Sequence, residues 1–206
     1  MIRTPPSGAF TFAEHPGLAA PEARIIWHAD FDPATLDVAV LPVDRDDPDH
    51  VALEELAPWL TVVADRDGRE HAVLSDGWRH IRLDVEAGTL AHGGRVLLLY
   101  RIAGLASARA RLLPLRRFLD LAEHHRFTAT LFPRDPRLDR WLTLLRVHDA
   151  LAAGAGQREI GQALFGADHV ERDWKRRSDS LRSRVRRLVR DAVSMARGGY
   201  RSLLRR

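Results

Sequence analysis

The chain of 206 residues contains no cysteine. Disulfides, thiolate metal sites and a thiol nucleophile are therefore excluded, which fits a cytoplasmic protein. No apolar run approaches the roughly 20 residues of a membrane-spanning helix, and the opening MIRTPPSGAFTF lacks the apolar core of an export signal. Neither membrane insertion nor export is expected. HExxH, GxSxG, a Walker loop and a GxGxxG after a strand are all missing, so nothing specifies an enzyme. Lysine is almost absent as well: Lys175 is the sole lysine among 32 basic residues. A GC-rich genome accounts for part of that preference for arginine, but not for where the arginines fall.

Histidine and carboxylate groupings are equally thin. His124 and His125 are adjacent on a helix and so point in different directions, and His148 beside Asp149 lies on an apolar face, where a packed imidazole is the simpler outcome. Asp30 and Asp32-Pro33, near His28, look like turn formers. No metal, cofactor or catalytic group is expected.

What is present is a charge asymmetry. Residues 1 to 100 hold 8 basic and 17 acidic side chains, whereas residues 101 to 206 hold 24 and 11. The halves are different electrostatic objects, and the basic one suits a polyanion. Hydrophobic content of 45% with 29% charged residues is that of a folded chain.

Residues 1 to about 23 read as an extended lead-in. Arg24 to His28 is a short apolar run. Leu36, Val38 and Val40 alternate with Asp37 and Ala39 as in a half-buried strand, and so do Ile81, Leu83 and Val85 with His80, Arg82 and Asp84. DRDDPD at 44 to 49 is an acidic turn. Trp59 to Ala64 and Glu70 to Leu74 flank Asp67-Gly68 as a hairpin. Val96 to Ile102 is apolar almost throughout, as a central strand covered on both faces would be. The expectation is an antiparallel sheet of five or six strands.

After Gly104 the period changes from two to 3.6. Leu105, Ala108, Leu112, Leu115, Leu119 and Ala122 mark a helix to about His124, with Pro114 either kinking it or sitting in its first turn. After a connector from Phe127 to Pro136, Leu138, Trp141, Leu142, Leu145, His148 and Leu151 mark a second helix, ending near Gly154. Gln157 to Phe165 forms a third, closed by Gly166.

The last helix carries the functional signal. Leu181, Val185, Leu188, Ala192 and Met195 lie within about 40° of one line, while Arg182, Arg186, Arg190 and Arg197 lie roughly 100 to 180° from it. Its start is open between two registers. Asp168 with Glu171 matches a capping box that starts the helix at His169. Alternatively the helix starts near Ser178, with residues 169 to 177 forming a short helix or loop. Trp174 is read as a core anchor. Together with the helix at 138 to 154, the pair outlines a helix-turn-helix.

These stretches also look familiar. QREIGQALFG, then DWKRRSDSLRSRVRRLVRDA and GGYRSLL, with the earlier LPLRRFLDLAEHHRF, LFPRDPR and WLTLLRVHDALAAG, resemble the bacterial family known as domain of unknown function 2285. PEARIIWHADFDP is similar to the start of that family's β-rich part. The resemblance spans roughly residues 17 to 204 and implies a DNA-binding or transcription-regulator protein, frequently associated with mobile elements, without cofactor or catalysis. One departure is that Ala155-Gly156, rather than Ser or Thr, precede Gln157. Another is Gly161, where an alanine commonly stands.

The sequence thus predicts an α+β protein: a β-rich N-terminal domain at 1 to 104 with an antiparallel sheet, and a helical DNA-binding domain at 105 to 206, helix-turn-helix-like at 138 to 197. Its predicted function is transcriptional regulation through double-stranded DNA. The expected contacts are Arg158, Arg172, Lys175, Arg176, Arg177, Ser180, Arg182, Ser183, Arg184, Arg186, Arg187 and Arg190. Arg182, Arg184, Arg186, Arg187 and Arg190 would mainly meet phosphates. Lys175, Arg176, Ser180 or Ser183 would read bases, depending on the register. The alternative is an adaptor or anti-activator docking on another transcription factor or RNA polymerase, to which the acidic first half would suit a basic partner. Nothing in the sequence fixes an oligomeric state.

Overall fold

The computed structural model describes residues 17–19, 21–43, 47–174 and 180–204. It is α+β, with six strands followed by helices. Two compact units divide it: one ends at Pro133 and the other is Arg134–Leu203.

In the first unit, β1 (Leu36–Pro42), β2 (Val51–Ala52), β3 (Leu60–Ala64), β4 (Glu70–Ser75), β5 (His80–Ala87) and β6 (Arg95–Arg101) form one sheet in the order β2-β6-β1-β5-β4-β3. A single helical turn, α1 (Leu53–Leu56), follows β2. The β3–β4 hairpin forms where Asp67-Gly68 placed it: the Asp65 carboxylate accepts from the Asp67 and Arg69 amides, and Leu60 to Ala64 pair with Leu74 to Glu70.

The sheet is mixed, not antiparallel throughout. β1 runs parallel to β5, with Leu36 opposite Leu83, and antiparallel to β6. It is inserted between two strands that are consecutive in sequence. Alternation reports which face a side chain takes but not which neighbour its strand will have, so this insertion left no trace in the pattern. For the same reason β6 is not the central strand expected. It lies next to the edge, where the two residues of β2 cover only Val96 and Arg95.

One face of the sheet is a conventional core. Leu36, Val38, Val40, Leu83, Val85 and Leu98 pack there with Phe118 and Leu121 of α2 (Leu105–His124). Pro114 sits in mid-helix and is buried, its ring part of the packed side. Four residues later Phe118 takes the same face, so the buried line runs Pro114, Phe118, Leu121. Of the predicted line, Leu105, Leu112 and Leu119 face outward, while Leu115 and Ala122 pack against the core.

The other face departs from the half-exposed strand that alternation suggested. Arg82 and Asp84 of β5 are buried, 2% and 4% exposed, because the segment before β1 lies over them. That segment is not a strand: it makes only an isolated bridge at Trp27. Its Ile26 packs on Val63 and Val73, and the Trp27 carbonyl accepts from Arg82 Nη2 at 3.1 Å. Arg82 also donates to the Ala72 and Leu83 carbonyls and pairs with Asp84 at 2.8 Å. Asp84 accepts in turn from His71 Nδ1 at 2.8 Å, and His71 Nε2 stands 3.3 Å from Asp65. Burial alone would push the Asp84 carboxyl up. The hydrogen bond from His71 and the charge of Arg82 outweigh it and hold the group below the ordinary carboxylate value.

Candidate nucleic-acid interface

The second unit contains α3 (Leu138–Ala152), α4 (Gln157–Phe165), α5 (Ala167–Asp173), α6 (Ser180–Ser194), one π-type turn (Met195–Gly199) and α7 (Arg201–Leu204). α6 packs against α3 and α4, and α5 against α4. Leu144 and Val147 of α3, Ile160 of α4, and Val185 and Ala192 of α6 make the core. The inward face of α3 is therefore turned from the line drawn through Leu138, Leu142 and Leu145, which are exposed. Leu142 and Leu145, with Trp141, Met195 and Tyr200, border an open apolar groove of about 410 Å³.

α4 has glycine as its N-cap, so no capping side chain is available there. Glu159 supplies the reciprocal half of a capping box: its Oε2 accepts from the Gly156 amide at 2.7 Å. At the other end Gly166, with φ of 90°, closes α4 and opens α5 at once. Its amide donates to Gln162 and its carbonyl accepts from Val170. The turn is thus a single glycine, and Asp168 lies inside the first turn of α5 instead of capping it. A left-handed residue already reverses the chain, and no separate cap position is left for Asp168.

Gly161 is packed closely. A Cβ built there would lie 3.1 Å from Trp174 Cζ3 and 3.4 Å from Val185 Cγ2. Trp174 is accordingly a core residue of this unit, as its apolar size and position suggested.

α5 ends at Asp173, so the long basic helix does not run on from a start at His169; it is described from Ser180 to Ser194, and a start near Ser178 lies outside the described residues. Its seam is as expected: Leu181, Val185 and Ala192 are buried, and Leu188 and Met195 pack beside them. Arg182, Arg184, Arg186, Arg187 and Arg190 are on this helix and all five are exposed, with Ser183 half-buried. Arg158 is exposed on α4. Arg172 is exposed on α5 and donates back to the Asp168 carbonyl at 3.1 Å. Lys175, Arg176 and Arg177 lie outside the described residues.

Two positions modify that set. The Arg184 guanidinium stands 4.5 Å over the Phe165 ring, tying α6 to the end of α4. Asp191, on α6 itself, binds Arg140 of α3 at 2.7 Å and lies 3.6 Å from Arg190. Phe165 was not singled out from sequence. Its signal was its place as the last large side chain before Gly166.

Residues 101–205 match the RovC_DNA-bd family model, described as "T6SS, Transcription factor, DNA binding domain". The chain belongs to that family. It therefore carries a transcription factor's DNA-binding domain, and DNA is its partner. The match supports a family of DNA-binding regulators, as the motifs implied; it does not extend to the domain of unknown function 2285 by name. No curated protein matches the chain. Among the described residues no group of three His, Asp or Glu side chains is arranged to hold a metal ion, and no helix is long and apolar enough to cross a membrane.

Proposed function

We propose that the protein is a transcriptional regulator that grips duplex DNA with α6, in a helix-turn-helix-like arrangement with α3, α4 and α5. The observation that carries this reading is the division of α6 into a buried seam and an exposed arginine face, inside a unit that the family match covers. Arg182, Arg186, Arg187 and Arg190 supply phosphate contacts that position the helix without reading sequence. Arg184, braced on Phe165, sets the angle at which the helix is presented. Base reading falls to the N-terminal turn of α6 and the residues just before it: Lys175, Arg176, Arg177, Ser180 and Ser183. Arg158 and Arg172 extend the basic surface onto α4 and α5. The protein acts without cofactor or catalysis, in the cytoplasm, and its kinship with domain of unknown function 2285 and with mobile elements belongs to the same reading. The matched region opens with α2, which packs in the first unit. The functional division at residue 104 and the physical one after Pro133 are thus different lines.

Fluorescence anisotropy of the whole protein tests this, with random duplex and duplex from its own upstream region, each at two salt concentrations. A steep salt slope with tighter binding upstream is the expected result. Absence of binding at low salt would sink it and leave the adaptor reading, docking on another transcription factor or on RNA polymerase.

A further inference from the structure

We infer that the first unit is a self-pairing surface, on which a second copy of this chain continues the sheet by β6-to-β6 addition about a two-fold axis at Leu99. The hydrogen-bond parity of β6 gives the geometry. Val43 N donates to Arg95 O across the β1 side, and Leu53 N donates to Gly94 O across the β2 side. With the unbroken registers of both pairings, this directs the backbone groups of Leu97, Leu99 and Arg101 to β1 and those of Val96, Leu98 and Tyr100 away from it. Val96 is taken by Val51. Among the described residues, Leu98 and Tyr100 have no partner for their outward N–H and C=O groups. An edge like this, apolar and unpaired, is a template for another strand.

The free stretch, Leu97–Arg101, is symmetric about Leu99. A second copy laid antiparallel sets Leu98 opposite Tyr100 of its mate, and Tyr100 opposite the mate's Leu98, so every outward group of the pair is satisfied. It stops where β2 begins. Leu99, 50% exposed, meets its own copy on the axis.

An independent observation lies beside that edge. A groove of about 640 Å³ runs between the β6 edge and α2, lined among others by Leu98, Tyr100, Leu119 and Ala122. On α2, Leu105, Ala108, Leu112, Leu115, Leu119 and Ala122 follow the alternating three- and four-residue spacing of a coiled-coil seam. Leu105, Leu112 and Leu119 of that seam are 92%, 58% and 50% exposed. Charge favours a copy of the same helix as the occupant. Exposed Arg109 stands in the N-terminal half, half-buried Asp120 and exposed Glu123 stand near the C-terminal end, and exposed Arg116 lies between them. The two-fold that pairs the strands runs the helices antiparallel, basic part toward acidic part. Both surfaces are self-complementary under one axis, as an isologous dimer requires.

Sedimentation of the full chain tests this, with Leu99→Asp, Leu99→Lys and Leu119→Glu, each checked for native circular dichroism. The native protein should sediment as a dimer and each variant as a monomer, while an equimolar mixture of Leu99→Asp and Leu99→Lys should return to dimer. A monomeric native protein would overturn the proposal and leave the edge to a strand of another protein. An assembly that survives both Leu99→Asp and Leu119→Glu would overturn it too, as would failure of the mixture to reassemble.

Discussion

Asp84→Asn isolates the buried pair under the N-terminal segment. In the native sheet Arg82 is 2% exposed and is hydrogen-bonded to the Asp84 carboxylate, 2.8 Å away. Among the described residues its Nε has no acceptor, so the Asp84 bond and three backbone carbonyls carry the compensation for burying the charge. Removing one partner of a buried ion pair costs about 3–5 kcal/mol, because the other charge stays behind. The asparagine oxygen still accepts from Arg82, which puts the expected loss near 3 kcal/mol, about a hundredfold in the opening equilibrium. Hydrogen exchange of the β4 and β5 amides in the whole protein is the assay, since it reads the first unit without requiring two-state unfolding of both. The pH dependence has a definite sign. Asp84 has a folded pKa below the ordinary carboxylate value, so its contribution is present above about pH 4 and is lost as pH falls through the depressed folded value. Asp32, pushed up chiefly by burial, works in the opposite sense. Asp84→Asn relieves part of that rise, because the Asp84 charge is among its causes. A loss below about 1 kcal/mol, or a difference that persists unchanged at acid pH, would refute the ion-pair account.

Other substitutions probe the two units separately. Arg182→Ala with Arg186→Ala should weaken binding on every duplex and flatten the salt slope by about 2, close to one for each phosphate no longer neutralised, measured by anisotropy across a salt series. Phe165→Ala should loosen the Arg184 stack and reduce affinity several-fold without changing the slope; an altered slope would mean that Arg184 already binds phosphate. Gly161→Leu should destabilise the second unit by about 2 kcal/mol or more in urea, because even a Cβ there stands 3.1 Å from Trp174. Gly88→Ala should cost the first unit at least about 1–2 kcal/mol: φ is +79° and a Cβ would lie 2.0 Å from the Val40 carbonyl oxygen. Unchanged thermal stability in Gly88→Ala would mean that the turn after β5 had moved.

The α6 seam was legible because period and charge coincide on one helix: Leu181, Val185 and Ala192 are buried, and Arg182, Arg186 and Arg190 opposite are exposed. The β3–β4 hairpin was legible because Asp65 and Gly68 carry the turn in local chemistry. What was not legible depends on groups far apart in sequence. Arg82 and Asp84 follow a pattern of outward-facing residues until the segment 55 residues away delivers the Trp27 carbonyl over them. The order that inserts β1 between β5 and β6 is likewise a matter of long-range pairing.

α2 sharpens that distinction. Its spacing announces a continuous apolar seam, and the seam is real in the sense that the residues do line up. Yet the sheet takes the neighbouring line of Pro114, Phe118 and Leu121, which holds the larger aromatic and the proline ring. A helix bearing two apolar lines must choose one for its own core, and the choice follows shape and volume, which a binary pattern does not encode. The line left outside still costs hydration, since exposed leucines order water whether or not the fold needs them. On α2 the Leu119 end of that line borders the groove beside the stretch of β6 whose outward backbone groups are unpaired among the described residues. Burying one without the other would leave either naked peptide groups or exposed leucines at the joint. The physical expectation is that strand edge and helix seam are covered together or not at all, so Leu99→Asp and Leu119→Glu should release the same assembly, not two separate ones.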